Sequence, residues 1–284
     1  MSEADAPLLS ISDLVVEYRR GRRLPVRAVD GVSLEVGHNE VLGLVGESGS
    51  GKSTIARAIQ GLVPVTTGLI TIGGEPLRAR TRHERRRLAA HVQTVFQDPY
   101  GSLNPARSVG ASIAEPLRVQ QRHLSRDQVR TRVADELSRV GLDRDVATLA
   151  PGRLSGGQRQ RVAIARALIT RPALVICDEA VSALDLSIQA QILNLLADIK
   201  DELGTSYLFI THDLGVVRQI ADRVAVQQSG RLVELFDAEE VDSPLRAPYT
   251  RRLFNAAPIP DPLRQTEKRA RFERYEEGQQ VRTA

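Results

Sequence analysis

The chain has 284 residues, 39 basic and 35 acidic, giving a net charge of +4 with 42% hydrophobic content. That length suits one large domain or two small ones with a sizeable core. The longest apolar run, residues 173–177 (ALVIC), is far short of the roughly 18 residues of a membrane span, the single cysteine excludes a disulfide framework and a cysteine metal cage, and 4% aromatic content leaves few stacking platforms for nucleic acid. The opening MSEADAPLLS lacks the basic-then-apolar pattern of a signal peptide, so a soluble, cytosolic protein is expected. Only three of the basic residues are lysines: Lys52, Lys200 and Lys268.

In chain order, residues 41–45 (VLGLV) form a short apolar strand running into a glycine-rich turn. A helix follows, with Ile55, Ile59 and Leu62 on one face. The arginine-rich run 78–87 (RARTRHERRR) suits a solvated helix face. From about 108 to 154 the pattern is helical without clear strands. Ser125 and Gln128 make a capping box, Val129, Val133, Leu137 and Val140 a stripe, and Gly141 a left-handed stop. Residues 174–177 (LVIC) are a second buried strand. Residues 187–203 follow with a helical stripe of Ile188, Ile192, Leu195 and Ile199, and 208–210 are a third buried strand. Alternating strands and helices predict an α/β core with a helical insertion. From Pro258 onward the chain is polar and without an apolar stripe, as expected of a loose tail.

Gly46, Glu47, Ser48, Gly49, Ser50, Gly51, Lys52 and Ser53 satisfy G-x-x-x-x-G-K-[ST] between a strand and a helix. The glycines let backbone N–H groups turn inward as an anion nest in front of the helix N-terminus. Lys52 is placed to reach the β- and γ-phosphates of a nucleotide and Ser53 to bind Mg²⁺. Asp178 and Glu179 end the second strand. They are either two acids in an exposed turn or, behind a phosphate loop, a Mg²⁺-organising carboxylate and a neighbour that polarises water. Leu154, Ser155, Gly156, Gly157 and Gln158 precede another helix, running roughly to Thr170. Alone they read as a glycine-containing cap. Beside a phosphate loop they make a second anion-binding helix start, which one nucleotide in one subunit does not need. Two subunits sharing two nucleotides resolve the surplus.

In this order, the phosphate loop, Gln97, Leu154–Gln158, residues 174–179, Ser182-Ala183-Leu184-Asp185 and Thr211-His212-Asp213 resemble an ATP-binding-cassette (ABC) ATPase from about Leu8 to Leu253. The resemblance implies a P-loop NTPase (RecA-like) core with an N-terminal antiparallel β subdomain and an inserted α-helical subdomain. It also implies an ATPase domain over 1–257 and a tail over 258–284. ATP and Mg²⁺ are the implied ligands. Residues 46–53 with Thr54 would hold phosphates, Ser53, Gln97 and Asp178 the metal, and Tyr18 the adenine. Glu179, His212 and Gln97 would serve catalysis, Ser155, Gly156, Gly157 and Gln158 the nucleotide of a facing cassette, and Asp185 the link between the two sites.

More finely, residues 97–105 (QDPYGSLNP), 181–191 and 243–250 (SPLRAPYT) are similar to the oligopeptide/dipeptide permease ATPases of the second-cassette type, with an extension from about 241. Ala247 stands where that pattern has His, and residues 150–153 (APGR) depart from its Tyr-Pro-x-Glu run. The cysteine cluster of some relatives cannot form here. The implied partners are a second, different ATPase, two transmembrane permease subunits and an extracellular or periplasmic solute-binding protein. No nucleic acid is implied, and the expected location is peripheral, on the cytoplasmic face of the membrane. Cassettes for nickel, glutathione or sugars are closely similar. A soluble non-transport ABC ATPase, usually with two cassettes or an inserted arm, is the other class.

Overall fold

The structure is a computed structural model that describes residues 6–18 and 25–256. The polar stretch from Pro258 and residues 19–24 after Tyr18 lie outside it. The chain opens with β1 (Leu9–Tyr18), β2 (Val26–Val36), β3 (Val41–Val45) and α1 (Lys52–Ile59). Next come β4 (Thr67–Ile72), β5 (Glu75–Pro76), α2 (Arg82–His91), β6 (Val92–Phe96) and the single turn α3 (Pro99–Ser102). Helices α4 (Val109–Gln120), α5 (Arg126–Arg139) and α6 (Gly156–Leu168) stand together before β7 (Leu174–Asp178). Then follow α7 (Leu186–Leu203), β8 (Ser206–Thr211), α8 (Leu214–Ile220), β9 (Arg223–Gln228), β10 (Arg231–Asp237) and α9 (Pro248–Ala256).

Two sheets result. One is antiparallel, in the order β2-β1-β4-β5, and the other runs β10-β9-β3-β8-β7-β6, parallel except for the β9–β10 pair. The parallel strands β3, β7 and β8 are apolar because both of their faces are covered. Their side chains divide with period two. Leu42, Leu44, Leu174, Ile176, Leu208 and Ile210 face α1 and the antiparallel sheet. Val41, Val175, Cys177, Tyr207 and Phe209 face the helical layer with Ile113, Leu137, Ile164 and Ile192. Gly43 lets α8 approach, since a Cβ there would lie 2.9 Å from Val217 Cγ1.

The helical stretch is α4 and α5 with two 3₁₀ turns, and the Ser125–Gln128 capping box and left-handed Gly141 (φ 70°) are both present. The arginine-rich run becomes α2, capped by Thr81 and Glu84, with none of its residues buried. Two expected stripes differ. Leu62 is 66% exposed because α1 ends at Ile59 and Gly61 turns left-handed (φ 65°) before it. In α7 the buried line is Ile192, Leu193, Leu196 and Ile199, while Ile188 and Leu195 sit at its rim.

Candidate functional site

Strand β3 lies between β8 and β9, parallel to both, so its carboxyl end opens at the middle of the sheet. Ligands of open parallel sheets bind at such strand ends. Residues 46–51 turn there through three glycines of positive φ, Gly46 (154°), Gly49 (79°) and Gly51 (110°). A Cβ on Gly46 would lie 2.1 Å from the Gln227 carbonyl oxygen, and one on Gly51 would lie 2.2 Å from that of Ala28. Backbone therefore packs where no side chain fits. Gly51 caps α1 without a side-chain hydrogen bond, so no side chain blocks the positive end of that helix. The Lys52 ammonium, on a residue 6% exposed, donates to the Gly46 and Glu47 carbonyls at 2.8 Å each. Burial lowers the Lys52 pKa, opposed by the carboxylates of Glu179, Asp178 and Glu47.

Strand register brings the other groups to the same edge. Phe96 pairs with Asp178, Asp178 with Ile210 and Ile210 with Leu44. One residue further along stand Gln97, Glu179, Thr211 and Val45. Ser53 Oγ donates to Asp178 Oδ1 at 3.1 Å, across the gap between α1 and β7. Burial raises the Asp178 pKa, against the Ser53 hydrogen bond and the charges of Arg57 and Lys52, and Glu179 adds to the rise. Glu179 has a left-handed backbone (φ 53°), its N–H donates to the Ile210 carbonyl at 2.9 Å, and its Oε1 lies 3.1 Å from His212 Nδ1. Gln97 is exposed just beyond β6. The sequence-predicted Gln97, Asp178, Glu179 and His212 thus share one edge with the glycine loop.

The second helix start, expected from the sequence to bind an anion, is separate. Ser155 Oγ accepts from the Gln158 N–H at 3.3 Å and Gln158 Oε1 accepts from the Ser155 N–H at 3.0 Å, a closed capping box. No hydrogen bond of residues 155–158 reaches residues 46–53 among the described residues. A Cβ on Gly157 would lie 2.8 Å from Ile188 Cγ2, so that glycine seats the start of α7, while Gly156 faces open space. Asp185 caps α7 through the Ile188 N–H at 2.9 Å. Tyr18, at the end of β1, packs against the core of the antiparallel sheet, its hydroxyl buried and without a hydrogen-bond partner among the described residues.

Residue reading did not find the outer supports of the loop. Gln227 is fully buried behind it, its carboxamide without a partner among the described residues, and Gly230 N–H donates to the Ser50 carbonyl at 2.8 Å. Tyr249 Oη accepts from the Glu47 N–H at 3.4 Å. These contacts span some 180–200 residues and leave no local pattern; Tyr249 alone stood in a motif already singled out.

A glycine loop with three positive-φ residues, a buried ammonium and a hydroxyl–carboxylate pair suit a polyphosphate, and a further carboxylate held by an imidazole suits an attacking water. Among the described residues no cluster of three or more His, Cys, Asp or Glu makes a protein cage for a metal. Ser53 and the desolvated Asp178 do fit Mg²⁺, which keeps waters and phosphate oxygens around one or two protein ligands.

These features define a P-loop nucleotidase. The ABC transporter family profile matches residues 29–182, and the chain belongs to that family: it is an ABC ATPase cassette, which binds nucleotide. It is similar to the oligopeptide transport ATP-binding protein OppF of Escherichia coli K12, 48% identical over 92% of this chain and 81% of that protein. To OppF of Haemophilus influenzae it is 48% identical over 84% of this chain and 71% of that one. Among solved structures, cbiO1 of Clostridium perfringens, part of the ABC transporter complex cbiONQ, matches with a TM-score of 0.75 and 28% identity, over 88% and 94% of the two chains. No helix of the described residues is long and apolar enough to cross a membrane.

Proposed function

We propose that this chain is the ATP-hydrolysing subunit of a peptide importer, working as one of two cassettes beneath two transmembrane subunits. The observation that carries the catalytic part is the shared edge where Lys52, the Ser53–Asp178 pair and the Glu179–His212 pair converge. The peptide assignment is supported by the OppF relatives and by residues 97–105 and 243–250. In this reading residues 46–54 bind the phosphates through the Lys52 ammonium and the N–H groups other than those of Glu47, Ser50 and Thr54, which donate to Tyr249, the Glu47 carbonyl and the Gly51 carbonyl, and Tyr18 lies against the base. Ser53, Asp178 and Gln97 hold Mg²⁺, which neutralises charge on the phosphate oxygens when bound. Glu179 orients and accepts a proton from the attacking water, while His212 holds the Glu179 carboxylate and contacts the γ-phosphate. Ser155, Gly156, Gly157 and Gln158 complete the site of the facing cassette. Ser155 is suited to this, because its oxygen accepts from Gln158 and its proton stays free to donate. Asp185 joins the two sites. The partner cassette is a related but different chain, the solute is delivered by an extracellular binding protein, and the assembly sits on the cytoplasmic face.

Glu179→Gln tests the catalytic assignment, since it keeps shape and removes charge. Hydrolysis falls by about 10²-fold or more, at least roughly 2.7 kcal/mol of transition-state stabilisation, while Mg-ATP still binds and an ATP-locked pair of cassettes accumulates. Lys52→Ala instead loses nucleotide affinity and never pairs. ATPase rate and size-exclusion behaviour with Mg-ATP report both outcomes, and a Glu179→Gln protein hydrolysing at the wild-type rate refutes the assignment.

A further inference from the structure

The segment after β10 is fastened to the glycine loop. Val241, Tyr249 and Phe254 share a core with Val45, the residue before Gly46, and with Val226, the residue before Gln227. Polar contacts fix the same segment from outside. Arg218 makes two hydrogen bonds of 2.6 Å to Asp242. Arg246 pairs with Glu234 and Glu240 and lies 4.5 Å over the Phe236 ring. Phe236 and Phe254 meet edge to face at 6.3 Å.

Within this docked segment Tyr249 is 8% exposed, and its hydroxyl accepts the Glu47 N–H. That N–H belongs to the same planar peptide unit as the Gly46 carbonyl, which receives the Lys52 ammonium at 2.8 Å. The unit is therefore held at both ends, by Tyr249 on its N–H side and by Lys52 on its C=O side. Turning the peptide would break both bonds. Its positive-φ glycine (Gly46, φ 154°) puts little local restraint on that rotation.

We propose that Tyr249 is a positioning residue for ATP binding: its hydroxyl orients the Gly46–Glu47 peptide and, through the Gly46 carbonyl, the Lys52 ammonium. The C-terminal segment thereby sets nucleotide affinity, an inference that rests on reading residues 46–53 as the ATP loop. A hydrogen bond of 3.4 Å is at the long end of the range, so its removal is expected to cost about 2–5-fold in affinity.

Tyr249→Phe in the full chain keeps the ring in its core and removes only the hydroxyl. Binding of trinitrophenyl-ATP with Mg²⁺, amide exchange at Glu47, melting temperature, and KM and kcat of the paired cassettes are the readouts. The dissociation constant and KM for ATP are expected to rise about 2–5-fold. Glu47 exchange quickens, kcat holds within about twofold, and the melting temperature holds within about 1 °C. Wild-type affinity and wild-type Glu47 exchange overturn the proposal, as does a loss of melting temperature as large as that of Tyr249→Ala, which marks Tyr249 as packing alone. Lys52→Ala separates the two layers: ATP affinity that survives it removes the ATP-loop reading and this inference together, whereas an unaltered Tyr249→Phe removes this inference only.

Discussion

Glu179 adopts a backbone conformation that side chains avoid. A non-glycine residue at φ 53° costs on the order of 1–2 kcal/mol, and here three hydrogen bonds hold it: its N–H to Ile210, and its carbonyl from the Ser182 N–H and hydroxyl. The strained turn aims the carboxylate at His212. Glu179→Gly and Glu179→Ala are both expected to lose hydrolysis, but the glycine variant is expected to be about 1 kcal/mol more stable than the alanine one, measured by urea unfolding. Gly46 argues the reverse way. Gly46→Ala drives a Cβ toward the Gln227 carbonyl at 2.1 Å, so about 2 kcal/mol or more of stability is lost along with ATP binding.

At the scale of elements, α2, α5 and α6 all open on a capping box, and in α5 and α6 it is built from Ser and Gln. The capping boxes Ser125–Gln128 on α5 and Ser155–Gln158 on α6 have the same chemistry, but only the second lies in a segment expected to meet a nucleotide. Ser125→Ala and Ser155→Ala should each cost about 1 kcal/mol of stability by chemical denaturation. ATPase activity of the paired cassettes should fall only in Ser155→Ala, and equal activity in the two would remove Ser155 from the site. Helix α5 also carries a titrating group. Glu136 is 2% exposed, and burial raises its pKa above the ordinary 4.5 despite Arg139 and Arg171. The folded chain thus holds this proton more tightly than the unfolded chain, so this residue's contribution declines as pH rises from 4.5 through the raised value. Urea unfolding across that window should show wild type losing stability relative to Glu136→Gln as pH increases.

For the whole molecule, the proposed place beneath two transmembrane subunits means that association with a membrane is expected to need those partners. Expressed alone, the chain should fractionate as soluble protein; co-expressed with two multi-spanning subunits it should sediment with membranes. Salt-resistant insertion into pure lipid vesicles would contradict this. The centre of the fold was legible because β3, β7 and β8 are covered on both faces and so carry the apolar runs 41–45, 174–177 and 208–210. The loop was legible because its tight, positive-φ turns impose glycines at fixed spacing. β1 and β2 emerged only through family resemblance, since LSISDLVVEY mixes alternation with bulges between Ile11 and Glu17. The supports at Ala28, Gln227 and Gly230 use backbone atoms, which any residue supplies, so no residue type betrays them. Leu62 misled because its helical spacing continued past a glycine that ends the helix.

The place of β3 has a consequence for biosynthesis. Its two neighbours are β8 and β9, with Val41 opposite Tyr207 and Leu42 opposite Arg223. At about 5–20 residues per second, a ribosome leaves this wholly apolar strand without partners for on the order of 10–30 s. The nascent chain is then an open invitation to aggregation or to a chaperone. Ribosome-stalled chains ending before β8 should be cleaved by protease around residues 41–60, and chains long enough for β9 to clear the exit tunnel should resist. The glycine loop, translated early, is among the last parts of the cassette whose supporting sheet can form.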